Sequence, residues 1–194
     1  MELELKAVVP DPEAFRRRLR AAGAVPGFVG RMTDLRYDRA GELITRDQVL
    51  RVRTFHHPDG DEAILAWKGP TTRSPDGYKL RDEIELPVSR AAADPGRLLA
   101  ALGYQPVHAV EREVEVYRLG DATARLETYP HMDVLLEVEG EPAAIEQAIA
   151  AIGIPRSEFT AEPLAEFVRR FEERSGRAAV LATSPVMPAA SGTG

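Results

Sequence analysis

The chain has 194 residues, of which 44% are hydrophobic and 29% charged, and a net charge of −6. That suffices for one hydrophobic core of ordinary size in a single domain, and the acidic balance argues against a general nucleic-acid or anionic-membrane surface. Cysteine is absent, which excludes disulfides, thiolate zinc sites and a cysteine nucleophile, so any metal would be held by oxygen or imidazole.

The chain opens on the alternating Glu2-Leu3-Glu4-Leu5-Lys6 with no apolar leader ahead of it. No stretch approaches the roughly 18 apolar residues of a membrane span, so a soluble, cytoplasmic protein is expected. Asp11-Pro12 then opens a helix that Gly23 closes, with proline at the first helical position and glycine past the last. Period-two strands are predicted over residues 2–8, 32–38, 49–55, 62–68 and 79–88, with turn signals at Pro58-Asp59-Gly60-Asp61 and Ser74-Pro75-Asp76-Gly77 that suit antiparallel hairpins. A second helix runs between Asp94-Pro95 and Gly103, followed by strands over 110–119, 123–128 and 133–139, the first two joined at Gly120-Asp121. Glu141-Pro142 and Gly153 bracket a third helix, and residues 163–175 form a fourth with Leu164, Phe167, Val168 and Phe171 on one face. From Gly176 the chain lacks either period and reads as a disordered tail. The expected organisation is one domain over 1–175 and a tail over 176–194. About eight strands, with helices between groups of strands rather than after each, favour an α+β fold with an antiparallel sheet.

The strand faces carry the chemical signal. Residues two apart share a face, and here the polar face is almost purely ionic: Glu2, Glu4 and Lys6; Arg51 and Arg53; Lys68; Lys79, Arg81, Glu83 and Glu85; Arg125 and Glu127; Glu137 and Glu139. On an open, solvated sheet, like charges such as Arg51 and Arg53 would repel without purpose. The pattern is better explained by a closed β-barrel with helices packed outside and the charges pointing into its lumen. Clustered Arg and Lys bind polyphosphate, while clustered carboxylates hold hard divalent cations such as Mg²⁺, which bridges carboxylates and phosphates. Both sets in one lumen imply a metal-bound triphosphate.

Glu2-x-Glu4-x-Lys6 is similar to the ExExK signature of the CYTH superfamily, the triphosphate tunnel metalloenzymes, which include class IV adenylyl cyclases, thiamine triphosphatases and inorganic tripolyphosphatases. Further matching segments follow in order: residues 34–38, Leu50-Arg51-Val52-Arg53, Trp67-Lys68-Gly69-Pro70, Arg81-Asp82-Glu83-Ile84-Glu85, Arg112 ahead of Tyr117, Leu126-Glu127 and Leu136-Glu137-Val138-Glu139. The resemblance covers roughly residues 1–173. It implies phosphate contacts from Lys6, Arg51, Arg53, Lys68, Arg81 and Arg112, and metal or water-positioning roles for Glu2, Glu4, Glu127, Glu137 and Glu139, with Mg²⁺ or Mn²⁺ as cofactor. Glu2, Glu4 and Lys6 are the expected catalytic group, and Glu83 and Glu85 would support the lumen. The sequence departs from the family at Val114, where a second basic residue is usual; Arg118 or Arg125 could replace it. It departs again at Glu127, where Asp is commoner.

Other features read as structural. His56-His57 point to opposite faces beside a turn, and His108 and His131 stand alone. Arg16-Arg17-Arg18 and Arg20 fall on the solvent side of the first helix. Trp67 points away from Lys68 toward the helix layer. No Ser, His and acid follow a recognisable triad order.

The leading expectation is a metal-dependent triphosphatase acting on tripolyphosphate or a nucleoside or thiamine triphosphate. A class IV adenylyl cyclase is the alternative; family cyclases carry a His-Phe-containing segment before the acidic pair, for which a chain starting Met1-Glu2 has no room. A non-catalytic polyphosphate or nucleotide-binding module would need the basic set but not the full acidic one. The sequence assigns no oligomeric state.

Overall fold

The structure, a computed structural model, describes residues 2–75, 79–88 and 94–183; the side chains of Glu2 and Lys79 lie outside the described residues. The period-two segments form one antiparallel sheet. Its strands are β1 (Glu2–Val8), β2 (Val25–Asp38), β3 (Val49–Phe55), β4 (Glu62–Lys68), β5 (Thr72–Arg73), β6 (Lys79–Arg81), β7 (Glu83–Val88), β8 (Gln105–Leu119), β9 (Ala122–Thr128) and β10 (Leu135–Glu139). They lie in the order β5-β6-β1-β10-β9-β8-β2-β3-β4-β7. Two strands begin earlier than their alternation indicates, β2 at Val25 and β8 at Gln105, because each is extended by pairing with the other, Val25 opposite Arg118 and Asp38 opposite Gln105.

The ladder does not close into a ring, and the count is ten strands rather than eight. The segment expected as one strand over 79–88 divides at Asp82: its first half pairs with β1, Arg81 opposite Glu2, and its second half with β4, Glu83 opposite Lys68. The two flanks of the sheet are therefore joined by the chain itself and not by strand pairing. Gly69 fastens this seam, its N–H donating to the Asp82 carbonyl at 2.8 Å and its own carbonyl accepting from Arg81 Nε at 2.7 Å. Farther along β1, Lys6 exchanges two backbone hydrogen bonds with Thr160, at 2.8 and 2.9 Å. All ten strands contribute side chains to one central cavity, so the sheet wraps around a lumen even though its hydrogen bonds leave a seam.

Helices α1 (Pro12–Ala21) and α3 (Pro142–Ile152) cover the outer face of one wall. Asp11 caps α1, its carboxylate accepting from the Ala14 N–H at 2.9 Å, and glycines with positive φ follow both helices, Gly23 and Gly153. The alternate residues Leu5, Ala7, Leu126, Leu136 and Val138 meet Phe15, Leu19, Ile145 and Ile149 in the main core. The short α2 (Pro95–Ala101) packs on Tyr37, Val52 and Ala63 through Leu99. It sits so close that a Cβ on Gly96 would lie 2.8 Å from the Tyr37 hydroxyl.

Helix α4 (Leu164–Ser175) has a different task. Phe167 and Leu164 pack on Val8, Val110, Tyr129 and Leu135, and Pro163 and Leu164 border the cavity. One end of the lumen is thus stoppered by apolar contact. The segment beginning at Gly176 was expected to be a disordered tail; its residues up to Thr183 follow the barrel instead. Val180 bridges to His131, Leu181 joins the apolar cluster under Phe167, and the Thr183 hydroxyl donates to Glu111 at 2.7 Å. Residues 184–194 of the expected tail lie outside the described residues.

Ile145 is fully buried between α3 and the sheet. Ile145→Ala is expected to lower unfolding free energy by about 2–5 kcal/mol through lost burial and a residual cavity, measured by urea titration.

Candidate functional site

The cavity inside the sheet has a volume of about 620 Å³. Among the described residues its wall carries nine basic and seven acidic side chains, so the lumen is net positive although the whole chain is net negative. The strand alternation produces this directly: residues facing the helices are apolar, and their neighbours face inward.

On one wall, the row Lys6–Glu137–Arg125 runs across β1, β10 and β9, with Glu4 paired to Glu139 in the next row. Opposite charges directly across neighbouring strands stabilise such a row. Lys6 Nζ lies 2.9 Å from Glu4 and 2.6 Å from Glu137, and Arg125 lies 2.6 Å from Glu137 and 3.1 Å from Glu139. Burial alone would push the Lys6 ammonium down, but Glu137 and Glu4 hold it above its ordinary value. Burial would push Glu137 up; Lys6, a hydrogen bond with Glu139 and Arg125 hold it well below the usual carboxylate range. Oxygens of Glu4, Glu137 and Glu139 all lie within 4.8 Å of one another. An all-oxygen donor set of three carboxylates, only partly offset by two cations, fits a hard divalent cation such as Mg²⁺ or Mn²⁺.

On the facing wall the hub is Asp34 of β2. Arg53 donates to both its oxygens, at 2.8 and 3.1 Å, Arg112 donates at 2.9 Å, and Arg51 stands 3.6 Å away. Arg112 also donates to Glu127 at 2.9 Å, whose second oxygen accepts from the Tyr129 hydroxyl at 2.5 Å. Burial would raise the Asp34 carboxyl, yet Arg53, Arg112 and Arg51 hold it well below the usual range. The Tyr129 hydroxyl is pushed up by burial and by Glu127, and stays protonated.

The structure brings nearly all the sequence-derived residues together. Glu4, Lys6, Arg51, Arg53, Lys68, Arg81, Arg112, Arg125, Glu127, Glu137, Glu139 and Glu85 border the same cavity, Glu83 pairs with Lys68 beside it, and the Glu2 side chain lies outside the described residues. Of the two substitutes considered for a basic residue at 114, Arg125 lines the lumen and Arg118 is exposed and absent from its wall. Arg81 is held at the seam, donating to the carbonyls of Gly69 and Asp47 at 2.7 and 2.5 Å. Sequence reasoning missed Asp34 and Arg36 as individual lumen residues; the parity of β2, with Leu35 and Tyr37 packed in the cluster of Leu99 and Asp34 and Arg36 alternating with them toward the cavity, was the available signal. His56 bonds Thr33 and Asp61 at 3.0 Å, His131 bonds the Ala178 carbonyl, and Trp67 covers Gly69. Arg16 is not simply solvated, since it ties α1 to Glu115 of β8 at 2.6 to 3.0 Å.

A wrapped antiparallel sheet with a charged, metal-competent lumen and external helices defines a triphosphate-tunnel architecture. The sequence profile of the CYTH domain matches residues 1–156, and the chain belongs to that family, whose members act on triphosphates and depend on a metal in general. Solved structures share the fold. A Pyrococcus horikoshii protein is 23% identical with a TM-score of 0.70, covering 88% of this chain and 99% of its own. A Vibrio parahaemolyticus protein described as a candidate adenylate cyclase is 16% identical with a TM-score of 0.66, covering 87% and 97%. HpAC1 from Hippeastrum, described as a candidate adenylyl cyclase with a dominant triphosphatase activity, is 20% identical with a TM-score of 0.62, covering 93% and 99%. No curated protein matches the sequence.

Asp34→Asn removes the charge shared by three buried guanidinium groups and is expected to cost about 3–5 kcal/mol of stability, measured by urea unfolding at neutral pH. The depressed values of Asp34 and Glu137 also set an acid limit. Unfolded carboxylates titrate near 4, so this stabilisation is complete above about pH 5 and is lost as pH falls through the lower folded values. Unfolding free energy is expected to fall steeply below about pH 4, and less steeply in the Asp34→Asn variant.

Proposed function

We propose that the protein is a metal-dependent triphosphatase that hydrolyses inorganic tripolyphosphate or another small triphosphate inside its lumen. The observation that carries this reading is the coexistence, in one cavity, of the Glu4–Glu137–Glu139 carboxylate group and an excess of guanidinium and ammonium groups. A polyphosphate alone would need only the cations, and a metal alone only the carboxylates. The description of HpAC1 as having a dominant triphosphatase activity supports hydrolysis as a reaction this fold accommodates.

Glu4, Glu137 and Glu139 would hold Mg²⁺ or Mn²⁺, with Glu2 completing the acidic set in this reading. Such an ion, when bound, neutralises charge on the phosphate being transferred. Lys6 and Arg125, already fixed among these carboxylates, present positive charge to the same phosphate, and Arg53 and Arg112 do so from the facing wall. Because carboxylates hold these cations in place beforehand, little reorganisation accompanies the reaction. Glu127, bonded to Arg112 and Tyr129, orients Arg112 rather than the ion. Lys68 and Arg81 guide the chain of phosphates along the seam side. A water oriented by Glu4 attacks the terminal phosphorus in line with the leaving oxygen. The new P–O bond forms as the bond to the diphosphate breaks, and the water proton passes to the carboxylate. The phosphate clamps do not dictate the nucleophile, and cyclisation of ATP would use the same lumen.

The test is purified protein with tripolyphosphate, ATP or thiamine triphosphate and Mg²⁺ or Mn²⁺, measuring phosphate, diphosphate and cyclic AMP. Phosphate release that stops on chelation of the metal is expected. Glu4→Gln should reduce kcat by at least about 100-fold with an unchanged circular dichroism spectrum. Diphosphate with cyclic AMP from ATP would replace the reading with adenylyl cyclase, and binding without any turnover would replace it with a polyphosphate-binding module.

A further inference from the structure

The cations of the lumen are not equivalent. Lys6, Arg53, Arg112 and Arg125 each touch a carboxylate within 3 Å, Lys68 is bonded to Glu83, and Arg81 is held by backbone carbonyls. Arg36 has no hydrogen bond or ion pair among the described residues, although it borders the cavity. It lies directly opposite Arg51 across β2 and β3, with His108 on its other side and Ala66 beyond Arg51. Two like charges facing each other across a ladder destabilise it. The compensation of this pair is more remote than in the Lys6–Glu137–Arg125 row, since the carboxylate that completes its row, Glu85, stands beyond Ala66. Among the described residues Arg51 reaches Asp34 at 3.6 Å and Glu85 at 3.5 Å, and its buried Nε, like that of Arg125, has no hydrogen-bond partner. Burial holds both guanidinium groups below their ordinary values; Asp34 opposes this in each, and neighbouring cations add to it, Arg112 and Arg81 for Arg36, Arg53 and Arg112 for Arg51. A buried unpartnered donor facing a cation with no ion pair among the described residues suits an anion from outside the chain.

We propose that Arg36 and Arg51 together clamp a terminal phosphate at the wall facing the Glu4–Glu137–Glu139 group, and so favour a free inorganic oligophosphate over a nucleoside triphosphate. This rests on the reading of the lumen as a triphosphate site. A terminal phosphate carries two ionisable oxygens and matches two guanidinium forks, whereas an internal or esterified phosphate carries one. Inorganic tripolyphosphate has a terminal group for each wall. A nucleoside triphosphate has only one, its other end being an ester. The pair sits on β2 and β3 and the carboxylates on β1 and β10, separated by β8 and β9 in the sheet order, and both groups line the one cavity.

Binding of inorganic tripolyphosphate and of ATP is measured by calorimetry with divalent cations chelated, so that no turnover intervenes. Wild-type protein should prefer tripolyphosphate. Arg36→Gln should weaken tripolyphosphate at least about tenfold and ATP by less than about threefold, the loss expected for one charge-assisted contact. Arg36→Lys should restore part of the loss, and unliganded Arg36→Gln should melt at or above the wild-type temperature, because a repulsive pair has been relieved. Equal loss for both ligands, no loss for either, or a lowered melting temperature with lost binding would overturn the clamp while leaving the triphosphate reading standing. Failure of the wild-type protein to bind either ligand, with or without Mg²⁺, would instead overturn the triphosphate reading on which the clamp rests.

Discussion

Charges sealed inside a protein are costly unless opposite charges go with them, and this cost shapes most of the molecule. Removing one partner of a buried pair is far more costly than never having buried the pair. Asp34 makes the point: with Arg53 and Arg112 both bonded to it, its carboxylate allows two guanidinium groups to stand inside the sheet. Glu137 does the same for Lys6 and Arg125. The carboxylates therefore have a structural task before any catalytic one. They permit a positive lumen in a chain that is acidic as a whole, and they hold the cations still.

The same cost explains where the lumen ends. Inward-facing positions are ionic along the middle of the strands, but Val8, Val110 and Leu135 turn apolar toward the end where Phe167 of α4 packs. Apolar surface there costs nothing to seal, whereas a charged mouth would have left ions dehydrated under a helix. The stopper and the open lumen are two stretches of the same strands.

Much of this was legible in residue order. Proline after an acid and glycine at the far end placed the starts and stops of α1, α2 and α3 closely, since capping is local chemistry. The inward faces of β1, β3, β9 and β10 followed from parity, and the carboxylate and guanidinium sets from counting charges on those faces. What stayed hidden depended on distant partners. The N-terminal half of β2 and the start of β8 lack a clean alternation and are strands because they pair with each other. The break at Asp82 interrupts no pattern in the sequence; it exists because β1 and β4 cannot share a single straight neighbour. Arg36 was not singled out in the sequence and gains its place only from the register that sets it against Arg51. The order of residues 176–183 comes in part from Glu172 nearby and in part from His131, Glu111 and the apolar floor that Leu181 joins, most of which lies far away in sequence.

The division at Asp82 also has a mechanical meaning. In a ring of continuous hydrogen bonds, circumference is tied to strand number and stagger, and widening it breaks ladder bonds. Here β6 and β7 are one piece of chain leaning on two different neighbours, and the hold between the flanks near Asp82 includes two contacts at Gly69, one backbone and one from Arg81. Rotation about a few backbone bonds at one residue can therefore change the girth of the tube while the long β2–β8 pairing stays whole. Since Arg81 both lines the cavity and clasps Gly69, a residue of the lumen wall is also a buckle of the belt.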